Sequence, residues 1–228
     1  VAHCLQRRRR SVITLEGPIM NESPTTTEAG GRPDPLRMLD LAQTGAAAVI
    51  ARVERADWYR PSPCDEWSVM NVIDKLTAST IMFTSFGRRQ TPDPTLDLIN
   101  PRHIVGDDPL GAYLEAAASC RIVWRAPGAL DGMAGSTIGP AKARAVLNAR
   151  IFDTTVLTWD IATACRQEHL ITDELARYVI RVAKALVPAV RAQSPARYRA
   201  SVPVDVDAPL VDQLIATTGR SLTWSPPR

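Results

Sequence analysis

Histidine is scarce in this chain, and its cysteines lack the spacing of a metal or redox motif. The 228 residues include three histidines and four cysteines: His3, His103 and His169, and Cys4, Cys64, Cys120 and Cys165. No two cysteines form a Cys-x-x-Cys pair, and no histidine lies at ligand spacing from another. This pattern argues against a zinc-finger site, a disulfide framework and a Ser-His-Asp or Cys-His catalytic arrangement.

Long apolar runs and a basic stripe are missing as well. No stretch reaches the roughly 18 to 20 consecutive apolar residues of a membrane helix, so we expect no membrane partner. The net charge of +3 comes from Arg7–Arg10, and the remainder is close to neutral. Without a stripe of Lys and Arg along one surface, we expect no nucleic-acid partner. No apolar stretch of export-signal length follows the arginines, so the expected location is the cytoplasm.

The composition divides the chain into three parts. Residues 1–33 lack periodicity and are rich in Pro, Thr and Gly after Met20. They predict a disordered leader, or one lengthened by a start codon placed too far upstream. Residues 34–192 predict a helical bundle, and residues 193–228 predict a strand–helix extension packed on it.

Apolar side chains recur at helical spacing in five segments of the central part. The predicted helices run from Pro35 to about Ala56, from Ser68 to about Phe86, from Asp108 to a stop before Pro127, from about Ala141 to Arg166, and from Thr172 to near Pro188–Val190. Glycines between Gly132 and Pro140 predict a turn or short hairpin. In the tail, apolar and polar side chains alternate over Tyr198–Val206, which predicts an edge strand, and a short helix is predicted to follow from Asp207. We therefore predict a mainly α, up-and-down four-helix bundle with a small α+β C-terminal extension.

Several short motifs occur along the chain in an order that is typical of one family. They are Pro61-Ser62-Pro63-Cys64-Asp65-Glu66-Trp67-Ser68, Asp153 with Trp159-Asp160, Ala126-Pro127-Gly128, Val202-Pro203-Val204, and Thr218-Gly219-Arg220. From Asp34 to Trp224 the chain resembles the mycothiol-dependent maleylpyruvate isomerase-like family of the DinB-like metal-binding superfamily. The resemblance implies a DinB-like four-helix bundle. It also implies a divalent metal, commonly zinc, that activates mycothiol, the thiol cofactor of actinobacteria.

The metal ligands that the resemblance implies are mostly replaced here. In the family a histidine on the second helix and an acidic residue plus a histidine on the fourth helix hold the ion. Those positions fall on Lys75, Asp153 and Leu157. A protonated lysine and an isobutyl group offer no lone pair, so only Asp153 could ligate. We therefore expect a degenerate metal site, no catalytic residues and no bound cofactor.

The same positions suggest a replacement for the ion. If the helices keep the family packing, the Lys75 ammonium approaches the Asp153 carboxylate where a metal would lie, because pairing removes two burial penalties. Alternatively, Lys75 extends to solvent and Asp153 meets a water or Arg150.

Other side chains of the motifs have structural or chemical interpretations. Asp160 is expected to accept hydrogen bonds from backbone or turn donors near the end of the bundle. Trp67 and Trp159 are expected to pack rather than to stack on a substrate. Cys64 either fits a tight turn as a small residue, or has a pKa lowered by the following helix N-terminus.

Three functions are compatible with these residues. The one that we favour is a family member without metal or catalysis that binds a small molecule or a protein through the cleft between the second and fourth helices. The second is an active mycothiol-dependent isomerase or transferase with non-standard ligands such as His103 and Asp153. The third is an interaction protein that acts through its surface.

Overall fold

A computed structural model describes residues 33–64, 67–101, 103–193 and 198–226. Within them, six α helices are α1 Pro35–Ile50, α2 Val69–Gly87, α3 Pro109–Arg125, α4 Ala143–Ala164, α5 Asp173–Gln193 and α6 Leu210–Thr217. Two short strands, β1 Met133–Ala134 and β2 Ala141–Lys142, pair antiparallel. The mainly α prediction and the hairpin after Gly132 are confirmed. Arg7–Arg10, His3, Cys4 and the rest of the leader up to residue 32 lie outside the described residues.

The helix starts follow from local capping chemistry. The Asp34 side chain accepts a hydrogen bond from Leu36 N ahead of Pro35, which occupies the first helical position. Ser68 and Asn71 form a reciprocal capping box at the start of α2. The Asp108 carboxylate accepts from Gly111 N at 2.9 Å. Each side chain satisfies a backbone N–H that the first helical turn leaves open, so the sequence locates these starts well.

Two helix ends differ from the prediction. Helix α1 ends at Ile50 rather than near Ala56, and a 3-10 turn, Arg55–Asp57, follows it. The Arg52 guanidinium donates to Ala48 O and to Glu168 O, so it satisfies a carbonyl of the last turn and ties that turn to another segment. Helix α5 continues through Pro188 to Gln193.

The strand predicted over Tyr198–Val206 does not form. Val202 N donates instead to Ala216 O near the end of α6, at 2.9 Å. Pro203 has no N–H to give to a ladder, and Val206 is 82% exposed, so the alternation does not produce a buried face. The strand prediction is wrong, and the tail is an extended segment followed by α6.

Helices α1 to α4 pack against one another, while α5 packs on α4 and α6. Their apolar side chains form two clusters. We call the first the α5-side cluster, which includes Leu39, Phe83, Trp124, Leu147 and Ile151. We call the second the turn-side cluster, which includes Val49, Val72, Leu76, Leu157 and Ile161. Each such fully buried side chain stabilises the fold by about 1.5–3 kcal/mol relative to an exposed one.

Buried polar side chains alternate with cluster residues along three of the helices, and we call them the polar layer. Its members are buried and lie between cluster residues in the sequence of α1, α2 and α4: Gln43, Ser79, Thr80, Arg150 and Thr154. Polar groups at such depth destabilise a fold unless they are hydrogen-bonded, so the partners of these side chains matter for stability. None of the helices in the described ranges combines the length and apolar character needed to cross a membrane.

Candidate functional site

The three positions that correspond to metal ligands in the resembled family lie on packed helices. Lys75 on α2 and Leu157 on α4 are buried, and the Asp153 side chain is 19% exposed. Arg150 Nη1 lies 3.1 Å from Asp153 Oδ2, one turn away on α4. The alternative is therefore confirmed for Asp153, which meets Arg150, and is wrong for Lys75, which is buried at 7% exposure and does not extend to solvent. The contact between Lys75 and Asp153 stays a prediction.

Arg150 is the centre of the polar layer. Its Nε donates to Thr154 Oγ1 at 2.9 Å, its Nη1 also donates to Ser79 Oγ on α2, and its guanidinium lies 5.8 Å from the centre of the Phe83 ring. The residue is completely buried. Arg150 therefore links α2 to α4 through charge-assisted hydrogen bonds and a cation–π contact.

Sequence reasoning named Arg150 only as an alternative partner of Asp153. A signal for its central position was available, because Arg150 lies three residues after Leu147 and four before Thr154, on the face of α4 that was predicted to be buried. A charged residue on a buried helical face needs partners, and the structure supplies them from two helices.

A second polar cluster joins three of the sequence motifs. Asp160 on α4 is fully buried and makes a two-pronged ion pair with Arg220, whose Nε and Nη2 lie 2.6 and 2.7 Å from its two oxygens. The Cys64 thiol donates to Asp160 Oδ2 at 3.2 Å, and Arg220 Nη2 lies 3.5 Å from the sulfur. We call this group the Cys64–Asp160–Arg220 cluster.

The expectation that Asp160 accepts from backbone or turn donors is wrong. Its partners are side chains 96 positions before it and 60 positions after it in the sequence. No local pattern could reveal this convergence. The signal that could have found it is that Cys64, Asp160 and Arg220 each belong to a motif of the same family resemblance.

The Cys64 thiol has a raised pKa, not the lowered one considered from sequence. Burial and the adjacent Asp160 carboxylate disfavour the thiolate, while Arg220 opposes them without reversing the shift. Because the thiolate is the nucleophile, Cys64 in this setting is a hydrogen-bond donor rather than an activated nucleophile.

We expect the native Cys64 thiol to react with an aromatic disulfide reagent at pH 8 about tenfold or more slowly than in urea, since a pKa rise of one unit or more removes that share of thiolate. A time course of labelling, analysed by peptide mass spectrometry, gives the reaction rate of this cysteine. Cys165, whose pKa burial raises to about 11, provides an internal comparison. Equal Cys64 rates in native buffer and in urea would contradict the buried hydrogen bond.

The two histidines in the described ranges have separate environments. His103 is exposed on the loop after α2, and the next two amides, of Ile104 and Val105, donate to Asp74 Oδ1 at 2.8 and 3.0 Å. His169 Nδ1 accepts from Ile171 N, and burial lowers its pKa. Across the described part of the chain, no three His, Cys, Asp or Glu side chains are grouped to hold a metal ion.

No protein-family model matches the chain. It is similar to two uncharacterized proteins of Mycobacterium tuberculosis, MT0763 of strain CDC 1551 / Oshkosh and Rv0738 of strain ATCC 25618 / H37Rv. Each is 26% identical over 190 residues, which cover 83% of this chain and 99% of the relative. The similarity therefore extends over nearly the whole length of both relatives.

The packing of α1 to α4 defines a DinB-like helical fold. Within that class, the chain matches two crystal structures of mycothiol-dependent maleylpyruvate isomerase. One, of a histidine-to-alanine mutant, has a TM-score of 0.55 at 14% identity, and the other has 0.51 at 15%. Both matches cover 66% of this chain and 67% of the other. This chain therefore has the fold of that enzyme.

Proposed function

We propose that this chain is a member of the mycothiol-dependent maleylpyruvate isomerase-like family that has lost its metal site and its catalysis. The observation that carries the proposal is the set of side chains at the three ligand positions. Lys75 and Leu157 supply no lone pair at neutral pH, and a structural or catalytic zinc needs at least three ligand atoms from the protein. The residues present do not fit the ion that the family uses.

The surroundings of Asp153 support the same proposal. Its carboxylate lies against the Arg150 guanidinium, which already balances its charge. A divalent cation would have to compete with that ion pair for the carboxylate. The Arg150 charge therefore disfavours a cation at Asp153.

In the proposed function the cleft between α2 and α4 binds a small molecule or a protein segment without chemical turnover. Buried charged and hydroxyl groups facing a helix pair can orient a polar ligand, as in other bundle sites. Zinc and mycothiol have no role in this function.

We expect purified protein to contain far less than one zinc per chain and to leave maleylpyruvate unchanged in the presence of mycothiol. Elemental mass spectrometry and a spectrophotometric assay measure the two quantities. A mycothiol-dependent maleylpyruvate isomerase treated in parallel is the positive control. Near-stoichiometric zinc together with thiol-dependent turnover would overturn the proposal.

One observation favours the active alternative, a metal-dependent mycothiol transferase or isomerase with non-standard ligands. Asp74 holds the amides of Ile104 and Val105, so the loop that bears His103 is attached to α2 one residue before Lys75. A histidine on this loop could then supply one ligand beside Asp153. The same zinc and turnover measurements decide between the two functions.

A further inference from the structure

A surface cavity of about 380 Å³ lies where the ends of α2 and α3 meet the loop that follows α3. Its volume is within the range of small-molecule sites. The Ala126-Pro127-Gly128 motif, which has no part in the proposed function, lines this cavity. Gly87, also in the lining, is twelve residues from Lys75 along α2, or about 18 Å at the rise of an α helix. The cavity is therefore separate from the cleft near Lys75.

The motif forms a tight turn that ends α3. Ala129 N donates to Ala126 O at 3.0 Å, and Gly128 has a φ of +75°. Proline at the second position and a left-handed glycine at the third are the features of a type II turn. The turn therefore adds apolar side chains to the lining beside Ile122 of α3.

The Arg89 side chain holds this turn against the end of α2. Its Nη2 donates to Ala129 O at 3.1 Å and to Asp131 O at 2.8 Å. Its Nη1 donates to Gly87 O at 3.3 Å. The backbone of Arg89 is left-handed, with a φ of +61°, at a helix end where glycine is the usual residue. An arginine at this position is explained by its side chain, which fixes one wall of the cavity.

The lining combines an exposed apolar surface with positive charge. Ile122 is 73% exposed, and Ala126 and Pro127 are exposed as well. The described lining includes Arg88 and Arg89 and no acidic side chain. Arg89 is engaged with carbonyl groups, whereas Arg88 is exposed and makes no ion pair within the described residues. A ligand that complements this surface has an apolar body and one negative charge.

We propose that this cavity binds a small amphipathic carboxylic acid, with its apolar body against Ile122 and Pro127 and its carboxylate on the Arg88 guanidinium. A guanidinium offers two parallel N–H donors to the two oxygens of a carboxylate, so arginine is well suited to this group. The apolar body removes the exposed surface of Ile122 from water. Binding here does not depend on whether the metal site is lost, since the two sites share no residue.

Three probes measured on the unaltered protein separate the apolar and the charged contributions. Octanoate has both parts of the ligand, octanol lacks the charge, and acetate lacks the apolar body. We expect octanoate to shift the backbone amide NMR signals of residues 122–129 and to bind about tenfold or more tightly than either of the other two. No shift in this range, or an affinity for octanoate equal to that for octanol or acetate, would overturn the site.

Matched pairs of exposed residues test the two contacts. Arg88→Gln and Ile122→Ser are each expected to weaken octanoate binding about tenfold. The controls are Arg177→Gln, at an exposed arginine of α5, and Ile99→Ser, at a side chain that is 77% exposed on the loop after α2. Both lie outside the cavity and should leave the affinity unchanged. All four side chains are exposed, so the variants should fold, and circular dichroism checks this. Unchanged octanoate affinity in Arg88→Gln or in Ile122→Ser would contradict the proposed contacts.

Discussion

The double variant Lys75→His with Leu157→His is expected to bind zinc, with a dissociation constant in the micromolar range, about −8 kcal/mol in binding free energy. The two imidazoles would join Asp153, which lies one helical turn before position 157 on the same face of α4. Three protein ligands leave an open fourth position for water. Isothermal titration calorimetry at pH 7.5 measures the affinity, and the unaltered protein should show none at this site.

The Arg150 ion pair and the protonation of the imidazoles both limit the zinc affinity of this variant. Arg150 must release Asp153, from which its Nη1 is now 3.1 Å away, so the affinity should be below that of a preformed zinc site. Since imidazole binds zinc only when neutral, the affinity should fall as the pH drops below about 6.5. The matched control is Lys75→Ala with Leu157→Ala. If a well-folded histidine variant binds no zinc, positions 75 and 157 are not the ligand positions.

Removal of Arg220 is expected to destabilise the protein by about 3–5 kcal/mol, because Arg220→Ala leaves the fully buried Asp160 carboxylate without its charged partner. Urea unfolding at pH 7, followed by circular dichroism, measures the free energy of unfolding. Asp160→Ala alone should lower the free energy of unfolding by a similar amount, since it leaves the Arg220 guanidinium without its carboxylate partner. The Asp160→Ala, Arg220→Ala double variant should be much less destabilised than the sum of the single variants.

The exposed pair Arg37–Glu174 is the matched control for this cycle. Its two side chains are 60% and 49% exposed, although the charged atoms lie only 2.7 Å apart. Solvent screens such pairs, so Arg37→Ala should change the free energy of unfolding little. Additive losses for Asp160→Ala and Arg220→Ala would show that the buried pair does not act as a unit.

The local part of the fold could be predicted from the sequence because its signals are local. Asp34, Ser68 and Asp108 each cap a helix within three residues of themselves, and all three helix starts are where the sequence places them. The strand over Tyr198–Val206 failed for the opposite reason. Its alternating pattern needs a partner strand and a buried face, and tertiary structure supplies neither.

The candidate sites also contain features that the sequence predicts and features that depend on tertiary packing. The positions of Lys75, Asp153 and Leu157 on two packed helices follow from helical periodicity and the family resemblance. By contrast, the contacts of Arg150 with Ser79 and Phe83 depend on how α2 and α4 meet, which no single segment encodes. The Cys64–Asp160–Arg220 cluster is visible in the sequence only as three separate motifs.

That cluster has a consequence for the order in which the chain acquires its stability. Cys64 and Arg220 are 156 positions apart, so their contact closes most of the sequence into one loop. Contacts of such separation form late, since the entropy of closing a long loop must be overcome first. During synthesis the first four helices are complete while Asp160 still lacks its guanidinium. A chain truncated before residue 220 would keep that buried carboxylate without its positively charged partner, so we expect it to be less stable although its first four helices are present.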